Sequence, residues 1–205
     1  MLQHLYFCGP ATCNRGVTPL QLITCNLQLL LPFSPTPIPD LQLFTPRVFG
    51  DERGYFMESW NEQTFAAAGI DRPFVQDNQA MSPRGILRGM HRQSGEHEQA
   101  KLVRVISGEV FDVAVDLRPD SPTLHQWFGV VLSGENHQQL YVPRGFAHGY
   151  LVLSETAIFS YKCDNFYAPK AEAGLRYDDP TIGIKWPKLD LEFTVAERDL
   201  NWPLI

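Results

Sequence analysis

The residues best suited to chemistry lie in Ile86-Leu87-Arg88-Gly89-Met90-His91-Arg92-Gln93 and, ten positions beyond its histidine, in Lys101-Leu102-Val103-Arg104-Val105. Arg88 is a fixed cation, His91 an imidazole that titrates near neutrality, and Lys101 a second cation. On successive strands these three suit an anionic substrate. A buried histidine flanked by Arg88 and Lys101 would be strained unless an anion or an acidic partner stood near, which sets His91 apart from an ordinary core residue. Taken singly, His148 in its apolar strand reads as structural, Tyr161 as core, and Arg53 as a solvated turn residue. His4, His97, His125 and His137 read as surface histidines.

The elements that must position these groups are mostly strands. Phe111-Asp112-Val113-Ala114-Val115-Asp116-Leu117 alternates with period two, and Trp127–Leu132 and Thr156–Tyr161 are short runs rich in β-formers. Asp112 and Asp116 share one face of their strand and suit structural pairing with arginines. Ser107-Gly108 divides Lys101–Ile106 from Glu109–Leu117 as a hairpin turn would, and Arg118-Pro119-Asp120-Ser121-Pro122 and Ser133-Gly134-Glu135-Asn136 close later strands. One helix is expected over Asn61–Ala68, with Asn61 as its cap, Glu62 in the first turn and Gly69 as its stop. Many short strands at this spacing predict an all-β sandwich, jelly roll or barrel.

Composition excludes several classes. At 205 residues the chain has room for one well-buried domain. A net charge of -6 argues against a nucleic-acid binder, while 44% hydrophobic and 20% charged residues describe a globular chain and not a disordered one. Cys8, Cys13, Cys25 and Cys163 form no C-x-x-C pair, which disfavours a zinc site or a disulfide framework. The stretch before Asp40 has no acidic residue and clusters Pro32, Pro35, Pro37 and Pro39. Its apolar run from Leu20 to Phe33 is broken by Gln21, Thr24, Asn26 and Gln28, so no membrane span is expected. No small-x-small cleavage site follows, and a cytoplasmic protein is expected. Residues 1–36 therefore read as an N-terminal extension, poorly ordered or an over-long start, and residues 37–205 as the domain. No phosphate-binding glycine loop, dinucleotide fingerprint, H-E-x-x-H or G-x-S-x-G occurs, so any catalysis must come from side chains in a β cavity.

Val142-Pro143-Arg144-Gly145-Phe146-Ala147-His148-Gly149-Tyr150 contains a P-x-G-x-x-H pattern that resembles the second cupin motif. The paired H-x-H of metal-binding cupins is missing. His91 and His97 would lie about 20 Å apart on a straight strand, and Lys101 would repel a dication, so no metal is expected. More specifically, Arg47-Val48-Phe49-Gly50-Asp51-Glu52-Arg53-Gly54-Tyr55-Phe56-Met57-Glu58-Ser59, Phe74-Val75-Gln76-Asp77-Asn78, Leu87-Arg88-Gly89-Met90-His91, Gly108–Asp116 and Pro143–Gly149 resemble, in order, the motifs of dTDP-4-dehydrorhamnose 3,5-epimerases. The match runs from about Ile38 to Asp199. The resemblance implies a cupin jelly-roll barrel with a few short helices, a homodimer, and an enzyme that needs no metal or organic cofactor and acts on a dTDP-4-keto-6-deoxy sugar.

Site residues follow from the same resemblance. His91 corresponds to the base, Asp199 in Ala196-Glu197-Arg198-Asp199 to the carboxylate that orients it, Lys101 to a stabiliser of negative charge at O4, and Tyr161 to the acid on the opposite face. Arg53 and Arg88 match diphosphate-contacting positions, and Glu58, Gln76 and Asn78 nucleotide-side positions. His148, Tyr167, Glu172 and Arg198 match further substrate-lining positions. Arg92 stands where the family is commonly aromatic, Gln99-Ala100-Lys101 replaces a common Q-G-K, Asp77-Asn78-Gln79 a common D-N-H, and Arg198 a common lysine. The family also implies exchange of an N-terminal strand between subunits, for which Ile38–Val48 is the candidate, and a contribution from around Arg53 to the neighbouring site. The alternatives are an epimerase acting at carbon 3 or carbon 5 alone, a ketoisomerase of dTDP-4-keto sugars, and a cupin that only binds a nucleotide sugar. A metal-dependent cupin dioxygenase is disfavoured by the missing ligands.

Overall fold

The computed structural model describes residues 32–205. The strands run β1 (Phe33–Pro35), β2 (Gln42–Phe44), β3 (Val48–Asp51), β4 (Gly54–Met57), β5 (Gln76–Pro83), β6 (Ile86–Gln93), β7 (Lys101–Ser107), β8 (Glu109–Asp116), β9 (Trp127–Ser133), β10 (Gln139–Val142), β11 (Phe146–Val152), β12 (Thr156–Cys163), β13 (Glu172–Gly174) and β14 (Thr194–Val195). Two short helices, α1 (Glu62–Ala67) and α2 (Glu197–Leu200), accompany them. One sheet is ordered β1-β2-β10-β7-β12-β5 and the other β13-β6-β11-β8-β9, with β14 running parallel beside β6. The expected all-β jelly roll is therefore the fold. Its core forms where the inner faces meet, around Val103, Val105, Leu140 and Phe159 from the first sheet and Val110, Ala114, Leu132 and Tyr150 from the second.

The runs expected as strands around Phe111, Trp127 and Thr156 are β8, β9 and β12, each longer by one or two residues. The expected hairpin at Ser107-Gly108 is not one. Gly108 turns the chain at φ +82°, but β7 then pairs with β10 and β12 while β8 pairs with β9 and β11. A reversal signal marks where the chain turns and is silent on whether the next strand pairs beside its predecessor or stacks across the core. Here both strands carry apolar inner faces, Val103 and Val105 against Val110 and Ala114, and stacking buries both.

Helix α1 fulfils its expectation. The Asn61 side chain accepts from the Gln63 and Thr64 amides at 3.0 and 3.2 Å, and Gly69 takes φ +85° just past the end. Its one buried residue, Phe65, packs on Phe44 and on Phe33 of β1. Phe33–Pro35 fall within the stretch expected as extension, yet they form a sheet strand, because Phe33 has this aromatic pocket to fill. The rest of that stretch, residues 1–31, lies outside the described residues.

The segment Ile38–Val48, named above as the candidate for exchange between subunits, contains β2. Strand β2 pairs with β1 and β10 of its own chain, and Ile38 and Leu41 are buried in its own core. The element that stands free is the β3–β4 ribbon, whose Val48, Phe49, Tyr55 and Phe56 are all exposed. Finally, Asp116 pairs with Arg118 as expected, whereas Asp112 takes a histidine, His148, and no arginine: its inward face puts it beside β11, where the His148 imidazole is the donor within reach.

Candidate active site

Strand β6 carries His91 to the wall of the barrel, and a close approach of strands sets its geometry. A Cβ on Gly89 would lie 2.6 Å from the Gly149 Cα and 2.9 Å from the His148 carbonyl, so β6 and β11 meet where only glycines fit. The approach leaves the Gly89 amide free to donate to Asp199 Oδ2 at 3.2 Å. Helix α2, which follows β14, presents Asp199 from outside the sheet. Its Oδ1 lies 2.7 Å from His91 Nε2 and 3.3 Å from Arg198 Nε. Asp199 is buried, and burial opposes its ionisation. The hydrogen bond from His91, its charge, the Gly89 amide and Arg198 together outweigh that penalty and hold the carboxyl below its ordinary range. With an ionised acceptor at Nε2, that nitrogen carries the proton, and the lone pair of the neutral ring sits on Nδ1.

The other sheet supplies the facing wall. Lys101 on β7 and Tyr161 on β12 line the same cavity as His91, which has a volume of about 300 Å³. The Lys101 ammonium lies 5.8 Å from the centre of the Tyr161 ring. Burial lowers the Lys101 pKa from its ordinary value, opposed by Cys163, Asp112 and Glu172. The Cys163 thiol is itself pushed up to about 11, chiefly by burial, so near neutral pH the charges that sustain the ammonium are the two carboxylates. Tyr161 is pushed up to about 12, first by burial and then by Cys163 and Tyr150, which keeps its phenol protonated as a donor. The arrangement sets an imidazole on one sheet against a phenol and a cation on the other, across a single cavity.

Of the thirteen site residues expected from sequence, Gln76, Asn78, His91, Lys101, Tyr161, Tyr167, Glu172 and Arg198 line this one cavity. Asp199 stands behind His91. Arg198 Nη1 reaches Glu172 at 3.2 Å, tying α2 to β13 across the rim. The Gln76 amide accepts from the Tyr167 backbone at 3.0 Å and donates to Asn78 Oδ1 at 3.1 Å, so these side chains also hold the Asn165–Ala168 loop. Four expected residues lie elsewhere. Arg53 is bound to Asp51 on the β3–β4 ribbon, with its side chain 83% exposed. Glu58 is exposed and accepts from Asn61 Nδ2 at 3.1 Å. Arg88 donates from Nε to Ser82 Oγ at 3.1 Å. His148 is buried, its Nε2 within 2.9 and 3.0 Å of the Asp112 oxygens.

Sequence reasoning missed Arg92, Gln93 and Gln99, which also line the cavity. Gln93 accepts from the Ala168 amide at 2.9 Å and Gln99 donates to the Asn165 carbonyl at 2.7 Å, so both suspend the loop that carries Tyr167. Gln93 could have been found from its place at the end of the His91 strand, two residues along and on the same pleat face.

The family model for dTDP-4-dehydrorhamnose 3,5-epimerase matches residues 35–205. The dTDP-4-dehydrorhamnose 3,5-epimerase of Salmonella typhimurium is 52% identical over 171 residues, which are 83% of this chain and 93% of that protein. A Legionella pneumophila structure, dTDP-6-deoxy-D-glucose-3,5-epimerase in complex with dTDP-4-keto-L-rhamnose, superposes with a TM-score of 0.81 at 46% identity, covering 84% of this chain and 91% of that one. At lower identity, 35%, a 3'-monoepimerase from Streptomyces bikiniensis in complex with dTDP-quinovose superposes with a TM-score of 0.78 over 83% of this chain and 86% of that one.

Proposed function

The chain belongs to the dTDP-4-dehydrorhamnose 3,5-epimerase family, and on that premise we propose that His91 is its catalytic base, oriented by Asp199, with Tyr161 the opposing acid and Lys101 the stabiliser of the enolate. The reaction converts dTDP-4-dehydro-6-deoxy-D-glucose to dTDP-4-dehydro-L-rhamnose by removing and returning protons at carbons 3 and 5. Both carbons flank the C4 ketone, so each carbanion is an enolate whose charge falls on O4. His91 Nδ1 takes the proton while Asp199 stabilises the imidazolium through Nε2. The Lys101 ammonium meets the developing charge at O4. Tyr161 returns a proton from the other face, inverting the centre, and the Lys101 charge beside it eases formation of the transient phenolate.

The reading rests on one observation: the 2.7 Å contact between His91 and Asp199 opens onto the cavity that Lys101 and Tyr161 share. Gln76 and Asn78 are positioned to read the imide edge of thymine with the hydrogen-bonding capacity left after their mutual contact, and Arg88 to meet the diphosphate by leaving Ser82. Tyr167, Glu172 and Arg198 complete the sugar side, while His148 stays buried against Asp112 behind the wall.

The proposal includes a homodimer. A lone two-stranded ribbon is marginally stable in water, and the β3–β4 ribbon exposes four large apolar side chains together with Arg53, away from its own cavity. Docked on a second copy, it would bury those side chains and bring Arg53 and Glu58 to the partner's site. It also includes a cytoplasmic location, since a nucleoside diphosphate sugar is charged and does not cross a bilayer unaided, and no described helix is long and apolar enough to cross one.

The test is proton NMR of dTDP-4-keto-6-deoxyglucose with the protein in heavy water. Deuterium entering at both carbons with wild type, and at neither with His91→Ala, is expected. Exchange at one carbon would assign a monoepimerase like the Streptomyces relative, and binding without exchange a mere nucleotide-sugar carrier.

A further inference from the structure

The catalytic dyad is backed by an element that the chemistry does not use. Gly174 on β13 is the register partner of His91 on β6, so the two residues present to the same side of the sheet. Gly174 leaves its place there empty, and the indole of Trp202 fills it. A Cβ on Gly174 would meet the Trp202 ring at 2.8 and 2.9 Å, and the Met90 carbonyl at 2.3 Å. The indole stands edge-on to the imidazole, centroids 6.4 Å apart at 72°.

The segment that bears this tryptophan is also the one that bears Asp199, and it is pinned at both ends. At its start β14 pairs with Ile86 and Leu87 of β6. At its end the Ile205 amide donates to buried Asp179 at 2.7 Å, the Thr181 hydroxyl donates to the Ile205 carbonyl at 3.2 Å, and the Arg176 amide donates to Pro203 at 3.3 Å. Between these anchors Asp199 grips His91 by a hydrogen bond and Trp202 abuts it by shape. The indole nitrogen is buried with no hydrogen-bond partner, so shape alone holds that ring.

We infer that Trp202 is a positioning residue for His91, closing the space beside Gly174 so that the imidazole keeps its alignment with Asp199 and water stays off their shared proton. The inference rests on His91 being the base. Packing of this kind fixes a ring against rotation about χ2, which a single hydrogen bond leaves soft, and a misplacement of about 1 Å at a reacting group is worth up to about 100-fold in rate.

Two variants separate the ring's role from its bulk. Trp202→Phe keeps an aromatic edge and removes the unpartnered N–H, whereas Trp202→Leu keeps apolar bulk without the edge. Expected for Trp202→Leu is a kcat roughly 10- to 100-fold down with KM within about twofold, together with loss of the downfield proton resonance of the His91–Asp199 hydrogen bond. Expected for Trp202→Phe is recovery of both. Unchanged kcat and an intact resonance in a folded Trp202→Leu protein overturn the inference. A KM effect alone, or failure of the leucine variant to fold at any temperature, overturns it equally by assigning Trp202 to binding or to the core. His91→Ala assayed in parallel keeps the two readings apart: exchange that survives in it removes His91 as the base whatever Trp202 does.

Discussion

Replacing Asp199 by asparagine changes one atom, and the donors around it decide the outcome. Asp199 accepts on both oxygens: Oδ2 from the Gly89 amide at 3.2 Å, Oδ1 from His91 Nε2 at 2.7 Å with Arg198 Nε 3.3 Å away. The Gly89 amide and the Arg198 guanidinium can only donate. If the asparagine oxygen faces Gly89, its NH₂ faces His91 and Arg198. Nε2 must then surrender its proton and accept, the proton moves to Nδ1, and the nitrogen proposed to take the substrate proton is no longer basic. If the oxygen faces His91 instead, the NH₂ opposes the buried Gly89 donor, which costs about 1–3 kcal/mol for an unsatisfied group. The first arrangement satisfies Gly89 and leaves the wrong tautomer, and both forfeit the charge that stabilises the imidazolium. We therefore expect Asp199→Asn to lower kcat roughly 10³- to 10⁴-fold, about 4–5 kcal/mol of transition-state stabilisation. KM should stay within about threefold, because Asp199 stands behind His91 and does not line the cavity. The assay is single-turnover deuterium wash-in at carbons 3 and 5. A loss below tenfold in folded protein would refute the tautomer reasoning.

Removing the acid gives a different signature: Tyr161→Phe should cut product formation roughly 10²- to 10⁴-fold while His91 still exchanges solvent deuterium into the starting epimer, and equal loss of exchange and inversion would count against separate roles. Lys101→Met should cost roughly 10²- to 10³-fold in kcat. On the proposed roles the alkaline limb of the pH–rate profile should belong to Lys101: burial lowers its pKa, so its charge is lost as pH rises, whereas Tyr161 at about 12 stays protonated. Lys101→Arg should shift that limb upward, and a limb that does not move would assign it elsewhere. Away from the site, burial penalises the Asp116 charge, but bonds from Arg118, Ser121 and Thr123 bring its pKa down to about 2. A lowered carboxylate contributes stability above its unfolded value, lost as pH falls through the folded one. Asp116→Asn should therefore cost about 2 kcal/mol near neutral pH and flatten the acid denaturation curve between about pH 4 and 2, read by urea titration. Phe56→Asp on the exposed ribbon should convert a sedimenting dimer to monomer, and a monomeric wild type with full activity would end the dimer proposal.

Much of the fold and the site is legible in the sequence because the informative signals are local. Period-two alternation at Phe111–Leu117 exposes one strand face to core and needs no knowledge of its neighbours, and the Asn61 cap acts on amides two and three residues away. Pairing is not local. Ser107-Gly108 reads alike whether the chain folds back in plane or passes to the other sheet, and the choice depends on apolar faces whose partners, β9 to β12, are not yet encountered along the chain. The partner of Asp112 escapes a sequence reading for the same reason: strand alternation says that it shares a face with Asp116, opposite Phe111 and Val113, but only the β8–β11 register brings it to His148. Trp202 carries no motif at all, and its place beside His91 depends on an absent side chain at Gly174, twenty-eight residues earlier.

The two sheets also explain how so few groups can invert a stereocentre. Inversion needs a base and an acid on opposite faces of one carbon, and the one face of a single sheet that meets a cavity reaches a bound ring from one side only. The jelly roll solves this by stacking: β6 delivers His91 from one sheet, while β7 and β12 deliver Lys101 and Tyr161 from the other. Since carbons 3 and 5 lie symmetrically about the ketone, a modest rotation of the sugar between the walls brings each in turn under the same base while O4 stays near the same ammonium. On the proposed roles, one set of residues then suffices for both centres, and the room for that rotation would decide how many are inverted. On the same roles, the residues that set that room are those lining the sugar side and not those transferring protons: Tyr167, Glu172 and Arg198. A chain with the same four reacting groups and a tighter rim would stop after one carbon.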